Sequence, residues 1–218
     1  KNLIELNCTS LKISDINIKK IYDYTNSFIL PKADKKLVYF ITEQINKLKN
    51  LTKLTCDHCL IRNITITGLE ELSCRDTLIR RVNHLINLVK LDCSNTYVRD
   101  INLPKLETLI CYELRYNFAI KITAPRLRTL KTENIKLGVL NYPNLSILYA
   151  IRTDLNVDMC KNLTELYITY HTTTIEIRDL PNLVKLDISY TSIESLSNLP
   201  NLRYLYCQYS CICTIDEF

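Results

Sequence analysis

Glycine is nearly missing from this chain of 218 residues: Gly68 and Gly138 are its only two. That scarcity excludes a phosphate-cradling loop of the G-x-G-x-x-G or P-loop kind, which uses several glycines to bring backbone amides close to phosphate. Long apolar runs are also missing, and no stretch of about 18 such residues reads as membrane-spanning. The opening "KNLIELNC" lacks a basic-then-apolar leader and does not read as a signal peptide. It starts on Lys1 rather than Met, so a leader or a further domain is expected to have been removed. Nor is charge of one sign massed anywhere. The 28 Lys and Arg are interspersed with 23 Asp and Glu, and the modest net charge of +5 argues against a nucleic-acid partner.

What the chain has is apolar side chain, 47% of it, enough for a substantial core. It also has a recurring phrase. The copies are "NLIELNC" from Asn2, "NLTKLTC" from Asn50, "GLEELSC" from Gly68, "NLVKLDC" from Asn87, "KLETLIC" from Lys105, "RLRTLKT" from Arg126, "NLSILYA" from Asn144, "NLTELYI" from Asn162, "NLVKLDI" from Asn182 and "NLRYLYC" from Asn201. From Leu51 onward the first leucines recur at spacings of 18, 19, 18, 21, 18, 18, 20 and 19 residues. A fixed period of this length is the signature of a stacked-repeat architecture.

Counting each unit from its first leucine, the phrase continues with Thr, Ser or Cys at the ninth position and apolar residues two and five further on. Examples are Thr96, Val98, Ile101; Thr191, Ile193, Leu196; and Cys59, Ile61, Ile64. Several units close at a proline: Pro104, Pro125, Pro143, Pro181 and Pro200. On these residues the sequence resembles the leucine-rich repeat family, over nearly its whole length. The short units are similar to those of bacterial effectors and internalins and of irregular giant-virus repeat proteins. The resemblance implies an α/β-type repeat solenoid with a curved parallel β-sheet on the concave face. The whole of residues 1–218 is then a single domain of about 10–11 rungs, with no second domain.

The L-x-L part alternates at the strand period, so Leu91 and Cys93 are expected inside while Lys90, Asp92 and Ser94 face out. One rung cannot bury its own apolar side, so rungs stack about 4.8 Å apart, giving a rod of roughly 50 Å. Units of 18 to 21 residues leave too little chain for a helix on the convex side, where extended or 3₁₀ segments are expected. The ninth-position hydroxyl is expected to bond the neighbouring rung's backbone. Residues 19–50 break the period. "NSFILPKAD" reads as a divergent strand with Phe28 and Leu30 facing in. Leu37, Ile41, Ile45 and Leu48 form one helical stripe, with Lys35, Lys36, Glu43 and Lys47 outward, which predicts one convex helix near residues 34–48.

The stretch "CDHC" at Cys56–Cys59 suggests half a metal or redox site, but the repeat explains it. Cys8, Cys56, Cys74, Cys93, Cys111 and Cys207 all occupy the sixth, core position, where a free thiol serves as a small apolar filler. Cys211 and Cys213 stand about eight rungs from that stretch, or near 40 Å at 4.8 Å per rung, too far to share a zinc ion. Reduced thiols are expected, and with them an intracellular setting, or a virion or host cytoplasm if the source is viral. Sequons such as Asn50-Leu-Thr arise from the phrase itself. No cofactor and no metal are expected. His58, His84 and His171 fall in different rungs without a nucleophile at a recruiting spacing, so no catalysis is expected either.

The outward sheet face is polar in its N-terminal half, where Lys53, Glu71 and Lys90 make an alternating charge ladder. The C-terminal half carries Ile110, Tyr112, Ile147, Tyr149, Ile151, Tyr167, Tyr170, Tyr190, Tyr204, Tyr206 and Tyr209, with Arg152, Glu165, Lys185 and Asp187 among them. Tyrosines and basic residues on one exposed face match the composition of protein interfaces. The sequence therefore predicts a partner-protein-binding face there. The alternatives are a structural component of a larger assembly such as a virion, using end-to-end contacts, and, more weakly, binding of single-stranded nucleic acid by stacking.

Overall fold

The computed structural model describes residues 3–8, 39, 42–114, 120–140, 142–170 and 176–216. Among the described residues ten strands form one parallel sheet, each supplied by one copy of the phrase. They are β1 (Glu5–Asn7), β2 (Lys53–Thr55), β3 (Glu71–Ser73), β4 (Lys90–Asp92), β6 (Thr108–Tyr112), β8 (Thr129–Glu133), β10 (Ile147–Ile151), β12 (Glu165–Thr169), β14 (Lys185–Asp187) and β16 (Tyr204–Tyr206). The remaining strands, β5 (Asp100–Asn102), β7 (Lys121–Thr123), β9 (Lys136–Val139), β11 (Asp154–Asn156), β13 (Ile177–Arg178), β15 (Ser195–Ser197) and β17 (Thr214–Asp216), pair among themselves in short parallel ribbons. The fold is a leucine-rich-repeat-type solenoid whose return side is extended.

Register follows from the phrase: Leu54, Leu72, Leu91 and Leu109 are aligned on successive strands, as are Leu130, Leu148, Leu166 and Leu186. All eight are essentially inaccessible. So are the phrase-opening leucines from Leu51 to Leu183. Each such leucine contributes about 1.5–3 kcal/mol of burial, and a slip of one residue would turn the whole set outward. The first and last described rungs bury less, with Leu3 45% accessible and Leu202 and Leu205 only half-buried.

Neighbouring rungs are also tied by side chains, though not by those expected. The ninth-position hydroxyls turn back on their own rung, and Thr153 alone of those described also meets the Thr132 hydroxyl of the preceding rung, at 3.2 Å. Thr77, Thr96, Thr191 and Ser210 each donate to the carbonyl three residues earlier, at Cys74, Cys93, Ile188 and Cys207. The short Thr side chain reaches its own turn carbonyl before it can cross to the next rung. The crossing bonds belong instead to the asparagine that opens the phrase. Asn87, Asn144, Asn162, Asn182 and Asn201 donate Nδ2 to the carbonyls of Thr67, Pro125, Pro143, Lys161 and Pro181 on the preceding rung.

Of the irregular stretch, residues 39 and 42–46 are helical. Ile45 is buried, Leu48 packs against the core, and Glu43 pairs with Lys47 one turn on at 3.1 Å. The remainder of the expected helix, including Leu37, Ile41, Lys35 and Lys36, and the expected strand with Phe28 and Leu30 lie outside the described residues. Among the described residues, no helix is long and apolar enough to cross a membrane.

Candidate binding face

The cysteine column lies where the repeat puts it. Cys8, Cys56, Cys74, Cys93 and Cys111 are buried and free, and Cys207 is half-buried. Farther along, Thr132, Ala150, Ile168 and Ile188 take the same position and are fully buried. Burial raises the thiol pKa of Cys56, Cys74, Cys93 and Cys111 well above the ordinary 9.0, so these sulfurs are neutral and inert at physiological pH. Cys160, outside the column, is buried against the Leu140 carbonyl. No group of three or more His, Cys, Asp or Glu among the described residues could hold a metal ion.

Two histidines are described and they lie apart. His58 Nδ1 sits 3.2 Å from Asp76 Oδ2, and His84 Nε2 contacts the Ile64 carbonyl. His171 is outside the described residues.

The N-terminal part of the outer face is a closed polar network. Lys53 pairs with Glu71 at 2.9 Å, and the hydrogen bond to that carboxylate raises the Lys53 pKa. Asp92 and Ser94 stand on this face as expected, but both are buried rather than hydrated. Arg75 covers the Asp92 carboxylate through an Nε donation of 2.6 Å, while the Ser94 amide and hydroxyl occupy its other oxygen at 3.1 and 2.8 Å. With its oxygens occupied and its charge paired, Asp92 can leave water without an uncompensated cost.

Beyond β6 the face changes. Ile110, Tyr112, Ile147, Tyr149, Ile151, Tyr167 and Lys185 are half-buried on it. Tyr170, Tyr190, Tyr204, Tyr206 and Tyr209 are exposed, Tyr209 by 80%. Tyr149 and Tyr167, paired across β10 and β12, stack with centroids 4.0 Å apart. Lys131 Nζ lies 4.5 Å from the Tyr149 ring centre, and Lys185 Nζ lies 5.2 Å from Tyr167 and 5.6 Å from Tyr206. The Tyr167 hydroxyl donates to Glu165 at 2.6 Å. Burial first, then that hydrogen bond, pushes its pKa up.

A second column stands beside the sheet and not on it. Arg152, Tyr170, Tyr190 and Tyr209 occupy the eighth position, one to three residues past their strands. There the backbone is left-handed, with φ of 47°, 56°, 59° and 54°. His58, Asp76, Asn95, Glu113 and Asn134 hold the same conformation on the earlier rungs. Stacking makes use of this conformation, which Tyr209 adopts even with no following rung among the described residues to bond. In each of these rungs except that of Tyr209, the eighth amide donates to the seventh carbonyl of the next rung, as from Arg152 to Thr169 and from Tyr190 to Gln208. Asn and Asp tolerate this region well, whereas a tyrosine there is uncommon and costs about 1–2 kcal/mol. Three tyrosines in succession nevertheless adopt it. Their rings stack at 4.7 and 5.1 Å, and the Arg152 guanidinium closes the stack 5.1 Å from the Tyr170 ring. The sequence placed these tyrosines on the sheet. The signal it offered was the Asn, Asp and His in the same register earlier in the chain.

No protein-family model and no curated protein matches the chain. Among solved structures, the functional domain of InlJ from Listeria monocytogenes, which includes a cysteine ladder, resembles it at 18% identity and a TM-score of 0.37, over 96% of this chain and 64% of that one. A leucine-rich repeat protein of Leptospira interrogans does so at 14% identity and a TM-score of 0.30, over 79% and 70%. At such scores these likenesses carry nothing about what the protein does.

Proposed function

We propose that the protein is a non-catalytic binding module that presents the tyrosine-rich C-terminal half of its long sheet, together with the tyrosine column beside it, to a partner protein. The observation that carries this reading is the stack of Tyr170, Tyr190 and Tyr209, three exposed aromatic rings held in a left-handed backbone. Strained residues persist where the surrounding structure fixes them, and they concentrate at ligand-contacting sites. Arg152, Lys131 and Lys185 interleave with the rings, giving the Tyr-plus-cation composition of interface hot spots. Rigid stacked side chains also lose little rotamer freedom on docking, which lowers the cost of association. Scattered basic residues balanced by Glu133, Glu165 and Asp187 give a protein surface better support than a polyanion.

The test is a capture from the native source with the tagged chain, followed by affinity measurement against the purified partner. Tyr190→Ala with Tyr206→Ala should weaken binding at least tenfold, and Glu71→Ala with Lys90→Ala should leave it within twofold. Equal binding by the tyrosine variant, with its fold intact, refutes the reading.

A further inference from the structure

Cys59 departs from its counterparts at the ninth position. Where Thr77, Thr96 and Thr191 turn a hydroxyl back to their own rung, the Cys59 sulfur reaches the preceding rung and lies 2.9 Å from the Cys8 carbonyl oxygen. The Cys8 thiol pKa is pushed up, first by a hydrogen bond with the Cys59 side chain and then by burial. Both residues are buried, Cys8 to 7% and Cys59 to 4% accessibility. Backbone pairing holds them there. The three residues of β1 are in register with β2, and the Cys8 amide donates to the Thr55 carbonyl at 2.7 Å. The neighbouring sulfurs are aimed elsewhere: Cys56 and Cys74 direct theirs at the Ser73 and Asp92 carbonyls of the following rung.

We propose that Cys8 and Cys59 are a disulfide-forming pair that fastens the first strand to the second across 51 positions of sequence. The oxidant is a small-molecule disulfide such as oxidised glutathione. One cysteine sulfur attacks it, loses its proton and forms a mixed disulfide, releasing one glutathione thiol. The second cysteine then attacks the protein sulfur of that intermediate, closing the Cys8–Cys59 bond, and the second glutathione leaves as a thiol. Two protons and two electrons pass from the protein to the oxidant. Because both sulfurs are nearly closed off once β1 is seated, exchange occurs during folding or when that end strand opens. The bond has a mechanical role. Among the described residues β1 stands at one end of the long sheet and pairs with β2 alone, as β16 pairs with β14 alone at the other end, so the bond secures an end strand.

The experiment refolds the full chain in a glutathione redox buffer, blocks free thiols, and maps tryptic peptides without reduction. Peptide Asn2–Lys12 linked to Leu54–Arg62 is expected, together with a thermal midpoint several degrees above that of the reduced protein. Since Leu54–Arg62 contains both Cys56 and Cys59, two variants assign the bond. Cys56→Val should keep the link, and Cys59→Thr, which installs the residue type other rungs use, should abolish it with an unchanged far-UV spectrum. Absence of the linked peptide in the wild-type protein overturns the proposal. So does a link that survives Cys59→Thr. Should either variant fail to fold, sequencing of the wild-type linked peptide by fragmentation distinguishes Cys56 from Cys59, and a bond to Cys56 overturns it equally.

Discussion

The rings of Tyr170 and Tyr190 lie 4.7 Å apart with their planes 6° from parallel, and both residues hold a positive φ, 56° and 59°. Attraction between the rings and strain in the backbone are therefore built into the same two residues, and they oppose each other.

That opposition has a measurable consequence. Tyr190→Asn removes two stacking contacts, worth about 0.5–1.5 kcal/mol each, and relieves about 1–2 kcal/mol of left-handed strain. Chemical denaturation should place the variant within about 2 kcal/mol of the wild type. A loss above about 3 kcal/mol would mean that the ladder serves to hold the fold together.

Alkaline pH should unfold the protein cooperatively. Cys56, Cys74, Cys93 and Cys111 have thiol pKa values raised by burial from the ordinary 9.0, and burial pushes the Tyr142 phenol up to about 12. The folded state holds these protons more tightly than the unfolded chain does. The stabilising contribution is therefore complete below pH 9.0 and is lost as pH climbs toward the folded-state values. With four thiols titrating only on unfolding, stability should fall by up to about 5 kcal/mol per pH unit above roughly pH 9.5. Denaturant titrations at pH 8, 9.5 and 10.5 check this; a flat profile would contradict the buried column.

Thr96→Val should cost about 1 kcal/mol, because it removes the hydroxyl that donates to the Cys93 carbonyl while keeping the shape of a fully buried side chain. The loss stays small because the site accepts apolar residues, as Ile135 shows at the ninth position of its own rung. An urea midpoint shift at unchanged slope is the expected readout.

Much of the fold was legible because it is periodic. A leucine pair and a sixth-position filler repeated every 18 to 21 residues have one stable way to be buried, and the strand register follows residue by residue. The directions of individual polar groups were not legible. The ninth-position Thr was expected to tie rungs together, yet it caps its own turn, and the tie falls to the phrase-opening Asn, because side-chain length decides which carbonyl each reaches. Asp92 was expected in water and lies under Arg75, a residue of the previous rung. Tyr170, Tyr190 and Tyr209 were expected on the sheet and stand past its edge.

By itself the sequence determined the period, the identity of the buried column and the segregation of tyrosines toward one end, because each depends only on residue type at a recurring position. The stacked chain alone decided what those positions do to one another. An eighth-position amide finds its acceptor on the next rung's carbonyl, a ring stack forms where adjacent rungs hold the rings 4.7 and 5.1 Å apart, and the Cys59 sulfur reaches the carbonyl of a residue 51 positions away. These are relations between rungs, and they come into being only when one rung lies on the next.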